Sequence, residues 1–152
     1  MNFILFPVAF AAGIGIALQT TLNAQLAKAI GGNSIIAAFF SFTTGALLLG
    51  IVALFRADGF ESMRGIFKQP LWMLLGGVLG ACALLCYVLL TPKIGLTLLI
   101  GLAIAGQLSS SMVIDHFSLF GVAQRPVTIM KLGGFVLMLA GLAVTLLSER
   151  FK

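Results

Sequence analysis

The sequence predicts an all-α, polytopic membrane protein with five transmembrane helices. Three observations predict it. Of its 152 residues, 61% are hydrophobic and only 9% are charged, against roughly 25% charged in an ordinary soluble domain. Mean hydropathy is +1.18, so there is too little polar surface to cover a fold in water. The apolar residues also fall into five runs, each long enough at about 1.5 Å per residue to cross roughly 30 Å of hydrocarbon.

The first span covers about residues 3–29 and ends where Gly31, Gly32 and Asn33 supply a turn. It lacks the positive flank of a signal peptide, and its apolar stretch outruns any plausible cleavage point, so it is expected to be a retained helix. The second covers about residues 34–55 and stops at the polar run opened by Arg56. The third starts at Pro70, a good first-turn residue, and is expected to reach about residue 90, where Thr91-Pro92-Lys93 breaks it. The fourth covers about 94–117 and the fifth about 127–147. Between the second and third spans, Phe60, Met63, Ile66 and Phe67 recur at helical spacing among Asp58, Glu61, Arg64 and Lys68. That pattern fits a short amphipathic helix over about 58–68 in the headgroup region, with a solvated loop as the alternative. All of this makes a single transmembrane domain over residues 1–152.

The net charge is +5, from nine Lys and Arg against four Asp and Glu. These cations flank the spans, as lipid headgroups favour, and no basic face suited to nucleic acid is formed. Five spans place the two ends of the sequence on opposite sides of the bilayer. Arg56, Arg64, Lys68, Arg125 and Lys131 then share one side, and Lys28, Lys93, Arg150 and Lys152 the other. Orientation follows Lys/Arg asymmetry, and this near-balance gives almost no instruction. The expected partners are therefore the bilayer, a small-molecule substrate and a second copy inserted the other way up, an antiparallel homodimer. A fixed orientation set by another signal is the competing reading.

Polar groups form stripes inside the apolar spans. At about 100° per residue, Gln107, Ser110, Ser111 and Asp115 share one face of the fourth helix. Gln107 lies near mid-span, and Asp115 lies roughly 12 Å further on, near the headgroups. Gly15, Gln19 and Asn23 share a face of the first span. Hydrocarbon offers an amide no hydrogen-bond partner, so such groups face another helix or a wet cavity. Interhelical bonding is one reading. The other makes Gln19, Asn23, Gln107, Ser110 and Ser111 a solute-binding lining. Ser41, Thr43 and Thr44 in the second span bond back to their own helix in the simplest reading.

Asp115 and His116 are either an interfacial cap or a pH-sensitive gate, since histidine titrates nearest neutrality. Gly76 and Gly80, like Gly134 and Gly141, lie on shared helix faces where backbones can approach closely. Cys82 and Cys86 fall one helical turn apart at membrane depth and behave as small hydrophobes. Without further ligands they support neither zinc nor a disulfide framework, and no cofactor is expected. A single His at a span end also leaves no assembled nucleophile, base and orienting group, so the chain is not expected to be an enzyme.

The runs "LQTTLNAQLAK", "SFTTGALLL", "PLWMLLGGVLGA", "TPKIGLTLLIGLAIAGQL" and "DHFSLFG" resemble the five-helix YdcZ-like branch of the drug/metabolite transporter superfamily. The resemblance covers nearly the whole chain. It implies a bacterial inner-membrane transporter, in some members a dual-topology homodimer. One position departs from the pattern: a glycine is expected after "DHF", and Ser118 stands there. Related small multidrug exporters carry a deep carboxylate in their first helix, which this chain lacks. That favours a neutral or zwitterionic metabolite, moved by alternating access at the dimer two-fold. A proton-coupled exporter of organic cations, a passive channel and a non-transporting subunit of a larger complex are the alternatives.

Overall fold

The computed structural model describes residues 3–56 and 59–150, with the backbone alone for 59–61, 63, 149 and 150. It is all-helical, and five helical stretches are long and apolar enough to cross a membrane. At most 11% of any span's apolar window is buried by the chain itself. The outward apolar surface therefore requires hydrocarbon or other protein to cover it. The chain divides into two compact units, residues 1–93 and residues 94–152.

In the first unit, α1 (Leu5–Ala29) is followed by α2 (Ser34–Leu54). The turn between them is built by two glycines at positive φ, Gly31 at 78° and Gly32 at 86°. The Gly32 amide donates to the Ala27 carbonyl at 2.7 Å and Gly31 to Lys28 at 3.3 Å. This is a Schellman motif, which satisfies carbonyls that the end of α1 would otherwise leave bare. Asn33 then caps α2, its side-chain oxygen accepting the Ile36 amide at 3.1 Å.

Small residues let the helices close up. Ala27 of α1 and Ala37 and Ala38 of α2 are buried in one cluster with Leu84 and Val88 of α5. Thr43 and Thr44 return their hydroxyls to carbonyls of their own helix, at 2.9 Å to Phe39 and 3.1 Å to Phe40.

The amphipathic segment forms α3 (Gly59–Ile66). Asp58 and the side chains of Phe60, Glu61 and Met63 lie outside the described residues. The third span is α4 (Leu71–Leu74) continued by α5 (Gly76–Ile94). Between them the Leu75 amide reaches back three residues to Trp72 at 3.4 Å.

The expected break at Thr91-Pro92-Lys93 is not where this helix ends. It runs through Pro92 to Ile94 and stops at Gly95, whose φ is 78°. A proline in the last turn removes one ladder bond only. The Thr91 hydroxyl meanwhile donates to the Tyr87 carbonyl at 2.6 Å.

In the second unit, α6 (Leu96–Phe117) leads through a short 3-10 turn, Leu119–Gly121, and an extended strap to α7 (Ile129–Arg150). They pack closely at Gly101, where an added Cβ would overlap Leu142 Cδ1. At the other glycine faces the chain itself makes few demands. A Cβ at Gly80 would lie 4.0 Å from Phe42 Cζ, and one at Gly76, Gly134 or Gly141 would meet nothing within 4 Å.

Ser118 closes α6 in the left-handed conformation, φ 54°, as a glycine would. Its hydroxyl donates to the Val122 carbonyl at 2.7 Å, which offsets part of the backbone strain of about 1 kcal/mol. Ser118→Ala keeps the strain and loses the bond. Its expected result is a loss of about 1 kcal/mol in thermal unfolding, while Ser118→Gly is near neutral.

Candidate functional site

Two places in the chain combine polar chemistry with enclosure. The first is on α1. Thr20 is fully buried, its hydroxyl returned to the Ile16 carbonyl at 2.9 Å. One turn on, Asn23 is 6% exposed. Its Nδ2 has no hydrogen-bond partner among the described residues. A buried amide donor left unpaired costs about 1–3 kcal/mol. Gln19, on the same face, donates from Nε2 to Ser41 Oγ at 3.3 Å and so ties α1 to α2. Of the stripe, Asn23 is the member with a buried donor still unsatisfied. Thr20 sits three residues before Asn23, a spacing that marks a shared face, and belongs with this group, although its hydroxyl gives no signal in the sequence that sets it apart from Thr21.

The second place is the end of α6 in the second unit. Here the strap is stitched to the helix by its own backbone. The Arg125 amide donates to the Asp115 carbonyl at 2.8 Å. The Val127 amide donates to Nδ1 of His116 at 3.1 Å, and Gln124 Nε2 to the His116 carbonyl at 3.1 Å. At the strap's far end the Thr128 hydroxyl accepts the Lys131 amide at 3.3 Å and so caps α7.

Two cavities flank this strap. One, of about 340 Å³, brings Ser111 and Asp115 together with Arg125 and Lys131. The other, of about 330 Å³, is largely apolar and places His116 and Ser109 beside Phe117, Val127 and Phe135. Gln107 and Ser110 lie on exposed parts of α6 and line neither cavity. Ser111 returns its hydroxyl to the Leu108 carbonyl at 2.9 Å. In the sequence Arg125 and Lys131 are visible only as charges around the junction of the fourth and fifth spans. Their convergence on Asp115 depends on the fold of the strap, and no spacing rule reveals it.

The match of the chain's residues along most of its length points to one family. The family described as "Putative inner membrane exporter, YdcZ" matches residues 4–144, from the start of α1 well into α7. The chain belongs to the YdcZ family. No curated protein and no solved structure matches it. As a YdcZ protein with five spanning helices it is a multi-pass protein of the inner membrane, from a family of transporters rather than enzymes. In this YdcZ chain the turn after Asp115-His116-Phe117 is made by Ser118 in the conformation glycine favours.

Proposed function

We propose that this YdcZ protein exports a small neutral or zwitterionic polar solute by alternating access, as two copies inserted in opposite orientations. The observation that carries the reading is Asn23, a buried amide donor without a partner among the described residues of a membrane helix. Hydrocarbon cannot satisfy it, so a solute, a water or a second copy must. Gln107, Ser110 and Ser111 offer further neutral polar groups on α6, and Gln19 offers them on α1. Acids and bases are absent from the middle of the first three spans. Buried ionisable groups commonly mark proton relays and cation sites, and their absence supports a solute without net charge. The near-even division of Lys and Arg supports insertion both ways up.

Purified protein in liposomes tests the reading, after a thermal-shift screen of metabolites has chosen the solute. The expected result is saturable flux that Gln107→Leu and Asn23→Leu together abolish while the dimer persists. Absence of flux with copurification of another protein indicates a non-transporting subunit instead. Topology reporters fused to the C-terminus should be active from both sides of the membrane, and activity from one side removes dual insertion.

The end of α6 supplies the gate in this reading. Nδ1 of His116 accepts the Val127 amide, and a protonated imidazole has no lone pair with which to do so. The bond therefore requires the neutral ring. The charged groups of the adjoining cavity, which Val127 also lines, are Asp115 on α6, Arg125 on the strap and Lys131 on α7. Flux should therefore depend on pH, and His116→Phe should flatten the profile. An Asp115→Asn protein with the wild-type profile removes Asp115 from the gate.

A further inference from the structure

The cavity between the last turns of α6, the strap and the first turns of α7 has a charge pattern that export of a neutral solute does not require. Its volume is about 340 Å³. One carboxylate, Asp115, and two cations, Arg125 and Lys131, line it together with the Ser111 hydroxyl. Lys131 uses one of its donors on the Pro126 carbonyl at 3.3 Å, which leaves two for a ligand. The Arg125 backbone is bonded to the Asp115 carbonyl at 2.8 Å, so the strap keeps cation and carboxylate on one wall system.

The remaining wall is apolar, with Leu108 and Met112 on α6 and Phe135 on α7. Leu108 and Met112 precede Asp115 along α6, so the apolar wall leads from the charged end toward mid-span. Asp115 lies two residues before the end of a helix of 22 residues, whose length of roughly 33 Å matches the hydrocarbon thickness. The charges therefore stand at headgroup depth and the apolar wall stands at acyl depth.

We propose that this cavity holds the headgroup of an amine-bearing zwitterionic phospholipid. The phosphate is held by Arg125 and Lys131, and the ammonium donates to Asp115. The first acyl carbons lie along Leu108, Met112 and Phe135. An ethanolamine headgroup meets both charges: its phosphate oxygens accept from the two cations and its ammonium N–H groups donate to the carboxylate. A choline headgroup has no N–H to offer the carboxylate, and a glycerol headgroup leaves the carboxylate unpaired beside a phosphate. Bound lipid would join α6, strap and α7 at the membrane face. The proposal concerns this cavity alone and does not depend on transport.

Its test reads lipid retention and not flux, so its failure and that of the transport reading remain distinct. The full chain is purified in detergent and stripped of lipid. It is then offered phosphatidylethanolamine, phosphatidylglycerol and phosphatidylcholine of identical acyl chains, and bound lipid is counted by native mass spectrometry. Phosphatidylethanolamine should be retained about tenfold over the other two, the effect of one charge-assisted hydrogen bond. Arg125→Gln with Lys131→Gln should lose that retention, and Asp115→Asn should bring phosphatidylglycerol level with phosphatidylethanolamine. Equal retention of the three lipids by the wild-type chain overturns the proposal without recourse to any variant. So does a preference that survives removal of both cations. Free phosphoethanolamine competing as well as the intact lipid would mark a soluble-zwitterion site and overturn the lipid assignment.

Discussion

Asn23→Leu is expected to cut transport sharply while leaving the protein as stable as before, or more so. Most buried substitutions lose function by losing fold, and this one should not. The Asn23 side chain is 6% exposed, and its Nδ2 lacks a partner among the described residues. The folded chain thus carries an unmet donor that costs about 1–3 kcal/mol. Leucine has nearly the same shape and no polar atom, so it removes that penalty and adds apolar contact. The unfolding temperature in detergent should hold or rise, by an amount equivalent to about 1 kcal/mol.

Flux should fall by at least about tenfold, because a solute that gave the amide its partner now loses one directed bond. The two measurements must be made on the same preparation. A sharp fall in unfolding temperature, with flux declining only as the folded fraction does, would make Asn23 a structural amide and remove it from the solute path. Gln19→Leu gives a useful contrast. Its amide is already engaged with Ser41 at 3.3 Å, so its loss should weaken the tie between α1 and α2 and lower stability modestly.

Ala37→Leu should destabilise the first unit by about 3 kcal/mol, near the top of the usual range for overpacking. Ala37 is fully enclosed, at 0% exposure, within the cluster that Ala27, Ala38, Leu84 and Val88 complete. Three added carbons have no space there, since α1 and α2 meet at that point through small side chains with Leu84 and Val88 of α5 packed against them. Between membrane helices, packing rather than water exclusion holds the contact together, so separating the backbones forfeits most of it. Thermal unfolding of the purified protein reads the effect. Gly76→Ala is the control, since a Cβ there meets nothing within 4 Å and the single chain should tolerate it. If Gly76→Ala weakened self-association instead, that face would be assigned to contact between copies.

The helix ends show how much could be read in advance. Gly31, Gly32 and Asn33 announced a stop and a start, and they supply both the Schellman turn and the α2 cap, because these are local backbone requirements. Pro92 misled for the same local reason. A proline weakens a helix, yet this one lies in the final turn, where Gly95 and not Pro92 ends the run. The stripe on α1 was visible as a spacing, but spacing could not separate its members. Gln19 has Ser41 to bond and Asn23 keeps an unpaired donor, a difference set by the neighbouring helix.

By itself the sequence determined the class of molecule, the number of spans, the family and the faces on which polar groups fall. Hydrophobic composition, run length and helical periodicity depend on residues close along the chain, and any reader of the chain has them. Tertiary structure alone decided that Arg125 and Lys131 share a cavity with Asp115, and that the Val127 amide rests on His116. Those contacts join residues ten or more positions apart through an extended strap without hydrophobic periodicity, whose path depends on its backbone bonds to the end of α6.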